Sequence, residues 1–273
     1  MRPIPTALAL ICTVSLSCTD RPSPPIRPQQ SAVALPSSNV IDLTYSFDSS
    51  TIYWPTAPGF RRQSTAEGET ELGYYYSAGN FFGAEHGGTH LDAPVHFSEG
   101  SQTADEIPLR QLMGSAIVID VADHTAANPD YQIGVEDLQE WESENGPISD
   151  GSIVFFRTGF GKFWPDKQRY LGTVETGTPA VAKLHFPGVH PVAAQWLLEN
   201  RGIKAVGIDT ASIDYGQSQL FETHQVLGEA NIPIFENVAN LDQLPIEGSA
   251  VVALPMKIAG GSGGPLRIIA FVP

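Results

Sequence analysis

Five short apolar runs constrain the fold of this chain more than any other feature. Most are continuously apolar, which is typical of strands that are buried on both faces. Such strands occur in the middle of a sheet whose two faces are covered, so the pattern favours an α/β fold. The runs occupy residues 116–121, 152–157, 203–208, 250–254 and 266–272.

Helical patterns alternate with several of these runs. Val135, Leu138 and Trp141 recur at helical spacing. Pro191 suits the first turn of a second helix that runs to Asn200, and residues 222–229 form a third candidate. The alternation predicts a mixed sheet with flanking helices. Because no second linker or internal repeat follows residue 40, we expect one domain over residues 40–273.

The first 39 residues differ in character from the rest. Arg2 and the apolar run at 4–16 predict a signal peptide over residues 1–18. Residues 19–39 are rich in Pro and Ser, which predicts a flexible tether. We therefore expect an exported protein that is periplasmic or attached to a bacterial membrane.

Both cysteines of the chain, Cys12 and Cys18, lie in this leading segment. The sequence around Cys18 resembles a bacterial lipoprotein cleavage site, although Ser15 stands where such sites usually have Leu. Lipidation of Cys18 and ordinary cleavage both stay open. The rest of the chain has neither a disulfide nor a thiolate nucleophile. A formal net charge of −15 argues against nucleic acid as a partner.

Ligand-type side chains are concentrated in residues 86–97, which read His-Gly-Gly-Thr-His-Leu-Asp-Ala-Pro-Val-His-Phe. The three histidines and Asp92 all occupy even positions. In an extended chain even positions share one face, so His90, Asp92 and His96 can converge. Imidazole and carboxylate together suit Zn, Mn or Fe. The alternative is a histidine-rich surface loop.

This segment resembles the signature of the cyclase family of metal-dependent hydrolases, His-x-Gly-Thr-His-x-Asp-Ala-Pro-x-His-Phe. The resemblance extends from Asp42 to the region of Leu254 and Pro255, and so covers most of the chain. It implies the family's α/β domain of the swivelling β/β/α type. It also implies a homo-oligomer, a dimer or larger.

The resemblance implies roles for individual residues. One or two divalent ions, Mn or Zn, would be held by His86, His90, Asp92, His224 and Glu236. His96 would be the general acid/base. Taken without the family, His224 and Glu236 are more typical of satisfied surface residues.

An aromatic wall is also implied for the substrate. Trp54 resembles the family's wall residue, and Phe81 and Phe82 precede the metal motif closely enough to line a pocket for a planar molecule. Core packing is the alternative for Phe81 and Phe82. The glycine-rich segment 260–265 resembles the family's C-terminal loop, and either brings backbone close to the metal or forms a plain turn. Its Ser262 has no evident activating base.

The implied reaction is hydrolysis of a small aromatic amide by activated water. Isatin, opened to isatinate, is the first substrate that the resemblance suggests, and N-formylkynurenine is the second. A non-catalytic protein that binds a metal or ligand on the same scaffold is the alternative, and an intact His96 argues against it.

Overall fold

The structure, a computed structural model, describes residues 39–273. The predicted signal peptide, including Cys18, and the tether up to residue 38 lie outside the described residues. Among residues 39–273, none of the helices combines the length and the apolar character that crossing a bilayer requires.

Strands account for most of the regular structure. They are β1 Val40–Asp42, β2 Arg61–Glu69, β3 Tyr75–Phe82, β4 His90–Asp92, β5 Met113–Asp120, β6 Gln132–Ile133, β7 Ile153–Arg157, β8 Gly188–Val189, β9 Ala205–Ile208, β10 Ile234–Glu236, β11 Ser249–Pro255 and β12 Gly263–Phe271.

One large sheet contains eight of these strands, in the order β1-β12-β11-β5-β7-β9-β10-β4. Strands β5, β7, β9 and β10 are parallel neighbours, and the remaining pairs are antiparallel. Strand β4 pairs with β10 and also with the first residues of β12, so the sheet closes on itself. The predicted mixed α/β fold is confirmed, and each of the five apolar runs coincides with a strand of this sheet.

Helices flank the sheet. They are α1 Ala122–Ala127, α2 Val135–Asn145, α3 Lys167–Leu171, α4 Thr178–Val181, α5 Pro191–Asn200 and α6 Glu222–Glu229. The three helices that the sequence predicts are α2, α5 and α6. Helix α5 begins at Pro191, and the His190 side chain caps it by accepting a hydrogen bond from the Val192 amide.

Alternate residues of the central strands pack into two different cores. Val118 and Phe155 belong to a core to which each strand of the closed sheet contributes. Their neighbours Ile119 and Phe156 belong to a second core, which packs under α2, α5 and α6 and includes Leu197. Burial of both faces explains why these strands are continuously apolar in the sequence.

Candidate metal centre

Strands β4 and β10 lie side by side and present ligand-type side chains on one face. His90 is the register partner of Glu236. Leu91 and Phe235 point into the core enclosed by the sheet. Because side chains alternate along a strand, His90, Asp92 and Glu236 point to the opposite face. His90 and Asp92 therefore lie on one face of β4, as the alternation along an extended chain predicts.

His86 reaches the same place through a bend. Gly87 and Gly88 have φ angles of 154° and 59°, conformations that favour glycine. A Cβ on Gly87 would also lie 2.1 Å from Cδ1 of Tyr53. The bend brings Nδ1 of His86 to 2.6 Å from Oδ1 of Asp92.

Asp92 is shared by two groups of three potential ligands. One group is His86, His90 and Asp92, and the other is Asp92, His224 and Glu236. The ligand atoms in each group lie within 4.8 Å of one another. Oδ1 of Asp92 is 3.1 Å from Nε2 of His90, while Oδ2 is 3.1 Å from Nε2 of His224. If both groups hold a metal ion, a carboxylate placed in this way would contribute one oxygen to each.

The donor chemistry fits divalent cations. Three imidazoles and two carboxylates converge, and all but His86 are buried. Burial and the charge of Asp92 raise the pKa of Glu236 above its usual value. Burial opposes ionisation of Asp92, yet His86 and His90 hold the pKa of its carboxyl well below the usual range. The two acids form a like-charged pair that a bound cation would neutralise.

The outward-facing nitrogens of two histidines are held by acceptors. Nδ1 of His90 lies 2.9 Å from the Gly88 carbonyl, and Nδ1 of His224 lies 2.6 Å from Oδ2 of Asp214. These contacts leave Nε2 of both rings directed at Asp92. Outer hydrogen bonds of this kind orient metal-binding imidazoles and fix their tautomers.

His96 lies beside the ligand groups and belongs to neither. Its ring stacks on His86 with the centroids 3.8 Å apart and the planes 15° apart. It reaches this position through a short 3₁₀ turn, Pro94–His96, rather than through an extended chain. His96 therefore does not reach the site by alternation along an extended strand, as the sequence predicted, because Pro94 starts a turn. Burial lowers the pKa of His96 to about 4, so the ring is neutral at neutral pH.

An apolar cavity of about 270 Å³ opens onto the cluster. Its aromatic lining includes Trp54, Phe97 and Phe221. The Phe221 ring centroid lies 6.1 Å from that of Trp54 and 5.2 Å from that of Phe97. Such a cavity suits a small planar molecule with one polar group directed at the ligand cluster.

The sequence did not identify all of these walls. Phe97 closes the motif, but nothing in the sequence showed that its ring turns toward the cavity. Phe221 has a φ of 52°, in the left-handed region that is costly for a bulky residue. That conformation has no sequence signal.

The structure corrects the placement expected for Phe81 and Phe82. Both lie on β3, in a separate two-stranded sheet with β2, and are 61% and 51% exposed. They do not line the cavity described above. Proximity in sequence misled here, because the chain turns between β3 and His86.

Comparisons with known proteins agree with this geometry. The isatin hydrolase of Roseibium aggregatum is 32% identical over 86% of this chain and 92% of its own length. The kynurenine formamidase of Salinibacter ruber is 28% identical over 84% of this chain and 96% of its own. The solved structure of isatin hydrolase A from Labrenzia aggregata bound to benzyl benzoate superposes with a TM-score of 0.77. It has 32% identity, over 86% of this chain and 93% of that chain.

The family model named Cyclase matches residues 41–215, which include the motif at 86–97. With the relatives just described, this match confirms the resemblance carried by the motif. The chain belongs to the Cyclase family.

Proposed function

We propose that the protein is a metal-dependent hydrolase that cleaves a small aromatic amide, first of all the cyclic amide of isatin. One observation carries the proposal: Asp92 is shared by two ligand groups at the end of an aromatic cavity. The relatives named isatin hydrolase and kynurenine formamidase support this reaction class.

His86, His90, Asp92, His224 and Glu236 would hold one or two ions, with Mn or Zn best suited to the mixed imidazole and carboxylate donors. A divalent ion in this position supplies Lewis acidity, which activates water at neutral pH and polarises a carbonyl.

The residues of the chain supply the remaining chemistry. Trp54, Phe97 and Phe221 enclose the planar ring system and exclude water from it. His96, neutral at neutral pH, takes a proton from the attacking water. Oxygen adds to the amide carbonyl carbon, the carbon–nitrogen bond breaks, and His96 returns the proton to the leaving nitrogen. In isatin this opens the five-membered ring and leaves an aromatic amine and a carboxylate.

An assay of isatin hydrolysis by metal-loaded protein tests the proposal. The reaction is monitored through the loss of the visible absorbance of isatin. We expect turnover that disappears on chelation and returns when Mn or Zn is added back. Full activity in metal-free protein would contradict it.

N-formylkynurenine is the second candidate substrate, favoured by the kynurenine formamidase relative, which this chain covers almost completely. Comparing kcat/KM for the two compounds on one preparation separates them. A preparation that binds metal but turns over neither compound would favour a non-catalytic binding protein.

We further propose that the protein is a homo-oligomer assembled through the β2–β3 hairpin. The two strands pair with no other strand among residues 39–273. An isolated hairpin is marginally stable in water. This one exposes Tyr75, Tyr76, Phe81 and Phe82. Light scattering on the wild type and on Phe82→Glu would test this, with a monomeric wild type as the contradicting result.

Export is also a proposal, since residues 1–38 lie outside the described residues. The signal-like start and the tether support a periplasmic or lipid-anchored protein. If Cys18 is lipidated, Cys18→Ser should release the protein from the membrane fraction. A wild type found entirely in the cytoplasm would contradict export.

A further inference from the structure

The glycine-rich loop that joins β11 to β12 lies against His86. Nε2 of His86 is 2.9 Å from Oγ of Ser262, on the side of the ring opposite Asp92. Oγ of Ser262 in turn donates to Oε2 of Glu85 at 2.6 Å, and the Ser262 amide donates to the same oxygen at 3.0 Å. Three side chains thus form one continuous hydrogen-bonded row, Glu85–Ser262–His86.

The loop is fixed to the metal motif through its backbone. The Ala93 amide donates to the Ser262 carbonyl at 2.8 Å, and Gly263 pairs in register with Asp92. A Cβ on Gly263 would lie 2.4 Å from the Leu91 carbonyl oxygen. The close approach therefore requires glycine at 263, and it places Ser262 rigidly beside the His86 ring.

The hydrogen bond at the Glu85 end of the row fixes the direction of the hydrogen bond at the His86 end. The Ser262 hydroxyl has a single hydrogen, which it donates to Oε2 of Glu85. Oγ of Ser262 is then left as an acceptor, and the hydrogen of the His86 ring must lie on Nε2. Nδ1 consequently turns a lone pair toward Asp92 and His90, where a ligand atom is needed.

We propose that Glu85 and Ser262 are positioning residues that set the tautomer and the orientation of His86 as a metal ligand. Glu85 and Ser262 orient the His86 ring in the way that Asp214 orients His224 and the Gly88 carbonyl orients His90. His86 needs such support most, because its side chain is 23% exposed, whereas those of His90 and His224 are 3% and 5% exposed. The inference rests on the metal centre of the proposed function and is independent of the substrate.

A competing interpretation exists, because Ser262, His86 and Asp92 also have the connectivity of a serine hydrolase triad. In that interpretation Ser262 is a nucleophile that gives its proton to His86. The structure disfavours it, because Oγ is closer to Glu85, at 2.6 Å, than to His86, at 2.9 Å.

The affinity for Zn²⁺, measured by competition with a chromophoric chelator, tests the proposal without relying on activity. Ser262→Ala and Glu85→Ala should each weaken binding by roughly 10–100-fold, the usual effect of removing an outer hydrogen bond from a metal ligand. The double variant should be little worse than either single variant, because both changes break one row. Ser262→Thr, which keeps the hydroxyl, should restore much of the affinity.

Ser143→Ala is the matched control, since that hydroxyl donates only to the Glu140 carbonyl of its own helix. Wild-type affinity in Ser262→Ala would overturn the positioning role alone. Turnover that is lost in Ser262→Ala even at saturating Zn²⁺ would also overturn it, and would make Ser262 the nucleophile. A wild type that binds no Zn²⁺ would overturn the metal centre itself, and the positioning role with it.

Discussion

Removing His96 and removing His90 should have different consequences, although each change deletes one imidazole. His90 contributes Nε2 to a ligand group, 3.1 Å from Asp92. His96 belongs to neither ligand group, and its ring stacks face to face on that of His86. Loss of His96 should therefore leave the ligand set intact, whereas loss of His90 should open it.

We expect His96→Ala to lower kcat by roughly 10²–10⁴-fold, the usual contribution of a positioned acid/base. At about 1.4 kcal/mol for each factor of ten, this corresponds to roughly 3–6 kcal/mol of transition-state stabilisation. Metal content should stay near that of the wild type. His90→Ala should lose metal and activity together.

Metal analysis by mass spectrometry and steady-state rates with isatin, on the same preparations, would measure the contrast. His124→Ala serves as a control, because that ring pairs with Asp137 away from the cluster. If His96→Ala loses metal as completely as His90→Ala, His96 is a ligand and the reasoning fails. If it keeps normal turnover, the general base lies elsewhere, and Glu236 is the next candidate.

Three further predictions follow from other parts of the structure. Trp54→Ala should lower kcat/KM by roughly 10–100-fold, mainly through KM, because it removes an apolar wall worth about 1.5–3 kcal/mol; an unchanged KM would exclude Trp54 from the pocket. Gly263→Ala should lower the melting temperature, because its Cβ would overlap the Leu91 carbonyl. Gly59→Ala, where a Cβ meets nothing within 4 Å, should not. Hydrogen bonds from Arg201 lower the pKa of Glu142 in the folded state. The ionised carboxylate therefore stabilises the folded protein at any pH above the ordinary pKa of a glutamate. This stabilisation is lost as the pH falls from the ordinary pKa through the lowered pKa of the folded state. Glu142→Gln should therefore cost about 1–2 kcal/mol at pH 7, and its difference from the wild type in urea titrations should shrink below about pH 4.

The sequence predicted the elements whose signals are local. The five apolar runs could be identified because both of their faces are buried, and α5 because Pro191 marks its start. His90 and Asp92 could be placed on one face because strand parity is a property of the chain itself. The pairing of β4 with both β10 and β12 could not be predicted, because the register between distant strands produces no periodic pattern in the amino-acid sequence.

Some parts of the site that sequence reasoning missed depend on contacts between distant segments, and others depend on the local course of the backbone. Ser262 had no evident partner in sequence, because Glu85 and His86 are more than 170 residues away. The ring of Phe221 turns into the cavity only through a strained backbone. Phe81 and Phe82 show the opposite error, since residues close to the motif in sequence lie on an exposed hairpin.

The closure of the sheet by β12 has a consequence for synthesis. Strand β4, which carries His90 and Asp92, is held between β10 and residues Gly263 to Pro265, close to the carboxyl terminus. A chain emerging from the ribosome therefore exposes His90 and Asp92 long before the strand that anchors them exists. Binding of a metal ion at this site would therefore require that β12 has been made, and chains shortened before β12 should bind it poorly.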